Sequence, residues 1–315
     1  MNKNIKICFM GTPHFGRVVL EKLNNEFDVV LVVTQTDSNN KRGKILVPEV
    51  KTYALENGLN ILQSEKIKND LDKLKEYEFD FIVTAAYGQF LPQSIIDLPK
   101  YKILNVHGSY LPSYRGSSPI QRAILNDERF IGVSIIETVK KMDAGDIYDR
   151  IKIPMEDSFN TKLMMDKLSN IGADMVINVI NKIYNNEPIN VIKQNEDEVT
   201  IAPLIEKSEE LLDFSENSRY LFNKIRAFYD DPATYFIKDD TLYKVFKSES
   251  VDYKGDEING TILSNNKELL IKCGKGALSI KEIQPSGKKR MDILSFLNGY
   301  KDKFKIGDVI KCLYK

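Results

Sequence analysis

Tryptophan is absent from this 315-residue sequence, and histidine and cysteine are scarce, with two and three copies. Cys8, Cys273 and Cys312 are odd in number and widely spread, so they form neither a disulfide framework nor a metal cluster. The two histidines, His14 and His107, are also too far apart in the sequence for a convincing zinc site. We therefore predict a protein of a reducing compartment that binds no metal.

Long apolar runs and an excess of charge of one sign are missing as well. No hydrophobic run approaches the ~20 residues that a membrane-spanning helix requires, and 45 basic residues balance 45 acidic ones. Hydrophobic residues make up 42% and charged residues 29%, a globular profile at a length that suggests about two domains. The first strand-like segment begins almost at once and leaves no room for a signal peptide. These features predict a cytoplasmic protein without a membrane partner.

Charge is nevertheless uneven along the chain. The segment from Gly260 to Lys315 contains twelve basic and five acidic residues. Such an excess of cations attracts phosphate backbones, but a solvated lysine-rich surface would give the same pattern. Composition alone leaves both interpretations open.

The first half of the chain alternates between strand-like and helix-like segments. The apolar, strand-like runs are Ile5–Met10, Val29–Val33, Phe79–Thr84 and Ile103–Val106. Helical segments are predicted between them, including one near Glu49–Glu56 and a charged one near Lys66–Tyr77. This alternation predicts a mostly parallel sheet with helices on both faces, and it directs the search for chemistry to the carboxyl ends of the strands.

The second half of the chain has a different pattern. Two alternating runs, at Gly132–Thr138 and Ile147–Ile153, precede a long helical segment over Thr161–Tyr184. A polar stretch with two prolines follows and indicates a linker. Beyond a helix over Asn217–Phe228, short alternating runs between Gly and Asn turns predict a small β-barrel. We expect a first domain at 1–189, a linker at 190–207 and a second domain at 208–315.

One histidine lies where the predicted sheet would carry chemistry. His107 closes the strand-like run that begins at Ile103, and Asn105 comes two residues earlier, so strand alternation puts both side chains on one face. Asp143 follows in the loop Met142–Asp146. An amide, an imidazole and a carboxylate can supply an oxyanion donor, a proton-transfer group and its orienter. A purely structural histidine is the alternative, and no Ser or Cys has the context of a nucleophile elbow.

Several blocks of the sequence resemble the signatures of folate-dependent formyltransferases. The main blocks are Asn105–Pro112, Arg115–Arg122, Met142–Asp146 and Glu282–Met291, with supporting blocks at Phe9–Pro13, Ala85–Pro92 and Phe296–Gly299. They occur in collinear order, and the resemblance covers essentially the whole chain. The block Gln284–Met291 resembles the branch of the family whose acceptor is methionyl-initiator tRNA.

This resemblance implies a Rossmann-like catalytic domain that uses 10-formyltetrahydrofolate as co-substrate, and an OB-like barrel that helps to hold the tRNA. By matching motif, Asn105, His107 and Asp143 occupy the catalytic positions. The residues implied to line the folate site are Gln89, Phe90, Leu91, Ser109, Tyr110, Leu111 and Pro112. The cations that we expect to contact tRNA are Lys41, Arg42, Lys44, Lys288, Lys289 and Arg290. We expect the enzyme to be a monomer without a metal.

Two departures from the family pattern bear on these expectations. The basic loop that carries Lys41 and Arg42 is shorter than usual, and His14 stands where the family commonly has an acidic residue, so we expect His14 to be a structural or tuning residue. Two other functions compete with formylation of tRNA. One is formylation of an amino sugar attached to a nucleotide, against which the last block and the basic chain end argue. The other is RNA binding by a chain whose formyl site has decayed, against which the intact catalytic residues argue.

Overall fold

The computed structural model describes residues 2–39, 43, 45–230 and 232–311. The chain folds as two compact units. One unit comprises the residues up to Pro119 together with Phe130–Pro154 and Leu163–Pro203; the other comprises Ile120–Arg129, Met155–Lys162 and the residues from Leu204 onward. The division of the sequence at 189 and 208 stays a prediction, because each compact unit combines several segments of the chain and does not define one boundary in the sequence.

Strands and helices are numbered in chain order. The strands are β1 (Asn2–Gly11), β2 (Phe27–Thr34), β3 (Ser38–Asn39), β4 (Ile45–Leu46), β5 (Ile61–Gln63), β6 (Phe81–Ala85), β7 (Lys102–His107), β8 (Arg115–Gly116), β9 (Phe130–Glu137), β10 (Ile147–Pro154), β11 (Ile201–Ala202), β12 (Thr234–Lys238), β13 (Thr241–Val251), β14 (Ile262–Asn265), β15 (Leu269–Lys272), β16 (Ala277–Pro285) and β17 (Met291–Asp292). The α-helices are α1 (His14–Glu26), α2 (Glu49–Glu56), α3 (Leu71–Leu74), α4 (Gln93–Ile96), α5 (Pro119–Leu125), α6 (Thr161–Tyr184), α7 (Ser218–Ala227) and α8 (Ile293–Tyr300). None of these helices of the described residues is long and apolar enough to cross a membrane.

A seven-stranded sheet with the order β10-β9-β7-β6-β1-β2-β5 organises the first unit. The pairs from β7 to β5 are parallel, and β9 runs antiparallel to both of its neighbours. The chain moves from β1 to β2 and β5 on one side and then returns to β6 on the other, which creates a switch point between β1 and β6. Ligands of such sheets bind at the carboxyl ends of the strands near this point. The predicted Rossmann-like, mostly parallel sheet is confirmed.

Burial explains why the first strand-like run is mostly apolar. In β1, Ile5, Ile7 and Phe9 are buried on one face, and the residues that alternate with them are buried too, apart from one exposed lysine near the start of the run. Helix α6 approaches the sheet closely at Gly172, where an added Cβ would lie 2.5 Å from Cγ1 of Val106. A glycine is needed there because the methyl group of alanine would not fit.

The second unit is built around an antiparallel sheet with the order β12-β13-β16-β15-β14, and β17 pairs with β16. Leu221 of α7 and Phe296 of α8 belong to the same buried cluster as Phe236, Tyr243 and Phe304 of the sheet and its C-terminal connection. The rings of Phe236 and Tyr243 stack with their centroids 5.3 Å apart. Phenylalanine and tyrosine thus supply the large aromatic area of a core that contains no tryptophan.

The segment near Lys66–Tyr77 differs from the single helix predicted for it. It forms a 3₁₀ turn at Ile67–Asn69 and the short helix α3. Asp70 lies between them with φ −106° and ψ 18°, outside helical geometry. Its carboxylate accepts hydrogen bonds from Ser64 Oγ at 2.6 Å and Lys73 Nζ at 2.8 Å. These two side-chain bonds hold Asp70 at the junction between the 3₁₀ turn and α3.

Candidate active site

Three polar side chains meet at the carboxyl end of β7. Asn105 and His107 belong to this strand, and Asp143 lies in the loop between β9 and β10 with φ +49°. Nδ2 of Asn105 is 3.4 Å from Oδ1 of Asp143, and Nδ1 of His107 is 3.7 Å from Oδ2 of the same carboxylate. The structure therefore brings the three predicted catalytic side chains together, with Asn105 and His107 both beside the carboxylate of Asp143.

Thr84 determines which way the amide of Asn105 points. The register of β6 and β7 sets Thr84 beside Asn105, and Oγ1 of Thr84 donates to Oδ1 of Asn105 at 2.8 Å. Because the amide oxygen is held on that side, the N–H groups face Asp143. Thr84 was not predicted from the sequence, because only the pairing of the two strands sets it beside Asn105.

The two ring nitrogens of His107 have different partners. Nε2 lies 2.9 Å from the carbonyl oxygen of Tyr114. A carbonyl only accepts hydrogen bonds, so Nε2 carries a hydrogen, and Nδ1, which faces Asp143, is the nitrogen that can gain or lose a proton. His107 is only 6% exposed, so most of its ring is shielded from solvent.

The loop that carries Asp143 is fixed from two sides. The backbone N–H of Gly116 donates to Oδ2 of Asp143 at 2.9 Å. The side-chain nitrogen of Gln194 donates to the carbonyl oxygens of Asp143 and Gly145, each at 2.7 Å. Gly145 has no room for a side chain, since an added Cβ would lie 1.8 Å from the carbonyl oxygen of Glu137. Gln194 was missed because its segment reads as a polar linker.

The predicted folate segment Ser109–Pro112 follows β7 and is anchored through Ser134 of β9. Oγ of Ser134 donates to the carbonyl oxygen of Ser109 at 2.7 Å and accepts from the backbone N–H of Leu111 at 3.1 Å. Tyr110 is partly exposed, whereas the other three side chains of the segment are buried. Tyr110 is therefore the residue of this segment whose side chain is open to a ligand.

The ring of Tyr110 is oriented by strand β10. The guanidinium of Arg150 and Nζ of Lys152 each lie 4.2 Å from its centroid. Arg150 also donates to the carbonyl oxygen of Leu111. Cations over an aromatic face attract it through the quadrupole of the ring, so β10 fixes the direction of this side chain.

The second predicted folate segment, Gln89–Leu91, follows β6 at the same edge of the sheet. Gln89 accepts from the backbone N–H of Ile67 at 2.9 Å and donates to the carbonyl oxygen of Ser64 at 2.8 Å, so its side chain is used within the fold. Leu91 is buried in the core, and Phe90 is 62% exposed. Phe90 is the residue of this turn whose side chain is free for a ligand.

His14, at the start of α1, bridges two carboxylates. Nδ1 lies 2.8 Å from Oε2 of Glu49, and Nε2 makes a short contact with Oδ1 of Asp166. Partial burial disfavours the charged ring, but the hydrogen bonds and negative charges of Glu49 and Asp166 outweigh it and raise the pKa of His14 above its ordinary value. This geometry agrees with a structural role for His14.

The two predicted clusters of tRNA-binding cations differ in what the structure describes. Lys41, Arg42 and Lys44 lie outside the described residues. Lys288 and Lys289 are exposed at the turn between β16 and β17, and Arg290 is only partly exposed. The lysines are thus accessible to a polyanion.

Arg290 is already paired within the second unit. Nε and Nη2 donate to the two carboxylate oxygens of Glu282, each at 2.6 Å, and Nη2 also donates to the hydroxyl of Tyr229 at 2.9 Å. Nη1 donates to Asp230, and the guanidinium lies 4.1 Å from the ring centroid of Phe246. The hydrogen bonds with Glu282 raise the pKa of Arg290, despite its partial burial. Its side chain holds the turn against the rest of the sheet.

Comparison with known proteins identifies the class to which this fold and site belong. Residues 3–180 match the family described as Formyl transferase, and residues 204–301 match Formyl transferase, C-terminal domain. The chain belongs to the formyl transferase family, and the resemblance seen in its sequence blocks is confirmed.

Similar sequences of known activity span almost the whole chain. The methionyl-tRNA formyltransferase of Lactobacillus gasseri is 39% identical over 309 residues, which cover 96% of this chain and 98% of that protein. The methionyl-tRNA formyltransferase of Listeria innocua is 39% identical over 298 residues, which cover 93% of this chain and 95% of that protein. The similarity therefore includes both the blocks that contain the predicted catalytic residues and the C-terminal half.

Solved structures share the fold at lower sequence identity. An N-formyltransferase from Helicobacter canadensis, in complex with folinic acid and dTDP-3-aminofucose, has a TM-score of 0.68 and 21% identity, with 91% of this chain and 100% of that chain covered. The methionyl-tRNA formyltransferase from Clostridium thermocellum has a TM-score of 0.56 and 14% identity, with 79% and 95% covered. At these identities the likeness concerns the fold alone.

Proposed function

We propose that this chain transfers a formyl group from 10-formyltetrahydrofolate to the α-amino group of methionyl-initiator tRNA, in the cytoplasm, for translation initiation. The observation that carries the proposal is the meeting of Asn105, His107 and Asp143 around one carboxylate. It occurs in a chain that is 39% identical, over nearly its full length, to methionyl-tRNA formyltransferases.

Asn105 acts on the formyl oxygen in this proposal. When the amine of the methionyl group attacks the formyl carbon, the formyl oxygen gains negative charge. The N–H groups of Asn105 are preorganised by Thr84 and donate to that oxygen as the charge develops. One such donor is worth about 3 kcal/mol of barrier height, because its dipole needs no reorganisation during the reaction.

His107 and Asp143 act on the proton. The attacking amine must lose a proton, and the folate nitrogen that departs must gain one. Nδ1 of His107 and the carboxylate of Asp143 are 3.7 Å apart, and Nε2 of His107 stays bonded to the carbonyl of Tyr114. The proton therefore passes between the substrates through Asp143 and the Nδ1 side of the ring, directly or through a water.

The folate co-substrate occupies the carboxyl edge of the sheet between the segments Gln89–Leu91 and Ser109–Pro112. The exposed ring of Phe90 and the oriented ring of Tyr110 offer aromatic surfaces to a flat heterocycle. The remaining predicted folate residues contribute through the backbone, because their side chains are buried or already bonded. The bound folate supplies the formyl group, and the residues of the chain orient it and exclude water.

The tRNA contacts in this proposal come from exposed cations. Lys288 and Lys289 meet phosphates of the tRNA backbone, in keeping with their exposure and with the basic end of the chain. Arg290 supports these contacts indirectly, because its bonds to Glu282 hold the turn that presents the two lysines. The same phosphate-binding role is proposed for the cluster Lys41, Arg42 and Lys44 after β2.

A comparison of acceptors tests the proposed function. The protein is incubated with 10-formyltetrahydrofolate and, separately, with methionyl-initiator tRNA, the same tRNA without methionine, and a nucleotide-linked amino sugar. We expect formylation only of the charged tRNA. The amino sugar is the second candidate, because the fold is shared with an N-formyltransferase that binds such a compound. Formylation of the sugar nucleotide alone would overturn the proposal.

A further inference from the structure

Arg115 is the largest side chain that is almost fully buried in the described part of the chain, at 2% exposed. A buried guanidinium is costly unless its donors are used. Nε of Arg115 donates to Oε1 of Gln194 at 3.0 Å, and Nη2 donates to Oε1 of Glu196 at 3.0 Å. The burial of this cation is therefore matched by a specific set of acceptors from one distant segment.

Gln194 connects Arg115 to the loop of Asp143. Its amide oxygen is occupied by Arg115, so its nitrogen must face the other way, where it donates to the carbonyl oxygens of Asp143 and Gly145. An amide nitrogen has two N–H groups, and both are used at 2.7 Å. Arg115 thus orients Gln194 as Thr84 orients Asn105.

The backbone around Arg115 holds the same loop from the opposite direction. The two-residue strand β8, which contains Arg115, pairs in parallel with β11, and the backbone N–H of Arg115 donates to the carbonyl oxygen of Thr200 at 2.9 Å. The next residue, Gly116, donates its N–H to the carboxylate of Asp143. Strand β8 therefore holds Asp143 in two ways. The backbone of Gly116 binds its carboxylate, and the side chain of Arg115 acts through Gln194 on its backbone carbonyl.

The loop has a backbone conformation that contacts from outside it help to hold. Asp143 has a left-handed backbone, with φ +49°, which costs energy in a residue other than glycine unless the surroundings impose it. Lys141, two residues earlier, pairs with Glu196 at 2.5 Å, so a second residue of the Gln194 segment also ties the loop. This outer pair is exposed and contributes little compared with the buried bonds of Gln194.

We propose that Arg115 and Gln194 are positioning residues for formyl transfer, which hold the carboxylate of Asp143 at Asn105 and His107 without touching either substrate. This inference rests on the proposed function of the site. It assigns to Gln194, in a segment with the composition of a linker, a part in the active site.

The test replaces Gln194 with glutamate, which keeps the shape but puts an oxygen acceptor against two carbonyl oxygens. We expect kcat of Q194E to fall by about 10- to 100-fold, because small displacements of reacting groups have effects of that size. KM for the tRNA and for the folate should change by less than about threefold, since no substrate contact is lost. Arg115→Lys, which keeps the charge but loses the planar fork, should give a smaller fall in kcat.

Two controls separate positioning from general damage. Gln93→Glu alters an exposed glutamine whose side chain donates to Asp97, directly after its own helix α4, and should leave kcat unchanged. In the Asp143→Asn background, Q194E should cause little additional loss of single-turnover rate if Gln194 acts through Asp143. A further loss as large as that in the wild-type background would contradict the proposal.

A measurement without turnover keeps this inference distinct from the proposed function. The chain has only two histidines, so the ring resonances of His107 are identified by comparison with a His14→Gln variant. If Gln194 holds Asp143 beside Nδ1 of His107, Q194E moves the His107 resonances and Gln93→Glu does not. Unmoved His107 resonances together with unchanged kcat in folded Q194E would overturn the inference, whichever acceptor the enzyme formylates.

Discussion

Oγ1 of Thr84 donates to Oδ1 of Asn105 at 2.8 Å across two neighbouring parallel strands. The direction of the proposed catalytic amide is therefore set by a residue one strand away, before any substrate arrives. Preorganisation of this kind lowers the barrier because the donors already point to the place where charge develops.

The substitution Thr84→Val tests this orientation. Valine has nearly the same shape and removes only the hydroxyl donor, so the side-chain amide of Asn105 becomes free to rotate. We expect the single-turnover rate of formyl transfer to fall by roughly 10-fold, which corresponds to the ~1.4 kcal/mol of one lost orienting hydrogen bond. Folate affinity should remain close to that of the wild-type protein.

Thr34→Val is the matched control for this prediction. Thr34 also lies in a strand of the sheet, is fully buried, and its hydroxyl has no hydrogen-bond partner among the described residues. Its replacement should leave the rate unchanged and the protein at least as stable. Equal rates for Thr84→Val and Thr34→Val would show that Thr84 does not orient the amide.

The bridging position of His14 predicts a dependence of stability on pH. Since Glu49 and Asp166 raise the pKa of His14, the protonated ring stabilises the folded state. That contribution is fully present below the ordinary pKa of about 6.5 and is lost as the pH rises through the higher value of the folded protein. The difference in free energy of unfolding between the wild-type protein and His14→Gln should therefore be largest near pH 6 and shrink towards pH 9.

Urea unfolding at several pH values measures this difference. Arg17, whose Nε lies 3.7 Å from Glu49, provides the control, because an arginine stays charged throughout this range. Arg17→Gln should change the free energy of unfolding by an amount that varies with pH between 6 and 9 much less than the effect of His14→Gln does. A His14→Gln effect that is constant, or that grows with pH, would contradict the assignment.

The exposed lysines of the β16–β17 turn should govern the salt dependence of tRNA binding. Each phosphate contact that is lost lowers the slope of log affinity against log salt by about 0.7 to 0.9. The double variant Lys288→Gln, Lys289→Gln should therefore bind the tRNA more weakly with a slope reduced by up to roughly twice that amount, while folate binding is unchanged. An unaltered slope would remove the proposed role of these lysines.

Arg290 should behave differently from its two neighbours. Its donors are used by Glu282, Tyr229 and Asp230, so Arg290→Gln should leave the salt slope of tRNA binding unchanged. The same variant should lose about 1–3 kcal/mol of unfolding free energy, because Glu282 is left without its partner. The lysine double variant should lose less than about 0.5 kcal/mol in the same denaturant titration. A reduced slope in Arg290→Gln at unchanged stability would identify Arg290 as a phosphate contact.

The sequence predicts best what depends on local periodicity. The helix expected over Thr161–Tyr184 has those bounds in the structure, and the strand-like run from Ile103 lies within β7. Features that depend on contacts between residues far apart in the sequence could not be predicted from local periodicity. Gln194 donates to a residue 51 positions earlier in the chain. The contact of Thr84 with Asn105 depends on the register between two strands, which the sequence of neither strand shows by itself.

Charge is the property for which sequence and structure differ most. Lys288, Lys289 and Arg290 are three adjacent cations in the sequence, and composition gives them equal weight. In the fold, the hairpin brings Glu282 to Arg290 and leaves the two lysines exposed. Whether a cation is available to a partner is decided by what the chain sets beside it, which only the tertiary structure determines.

The central claim is that His107 and Asp143 perform chemistry rather than hold the fold together. Its most direct test is the single-turnover rate of formyl transfer at saturating 10-formyltetrahydrofolate and methionyl-initiator tRNA. For His107→Ala and for Asp143→Asn we predict a fall on the order of 10²-fold or more, with cooperative unfolding and folate affinity preserved. A near-normal rate in either folded variant would contradict the account.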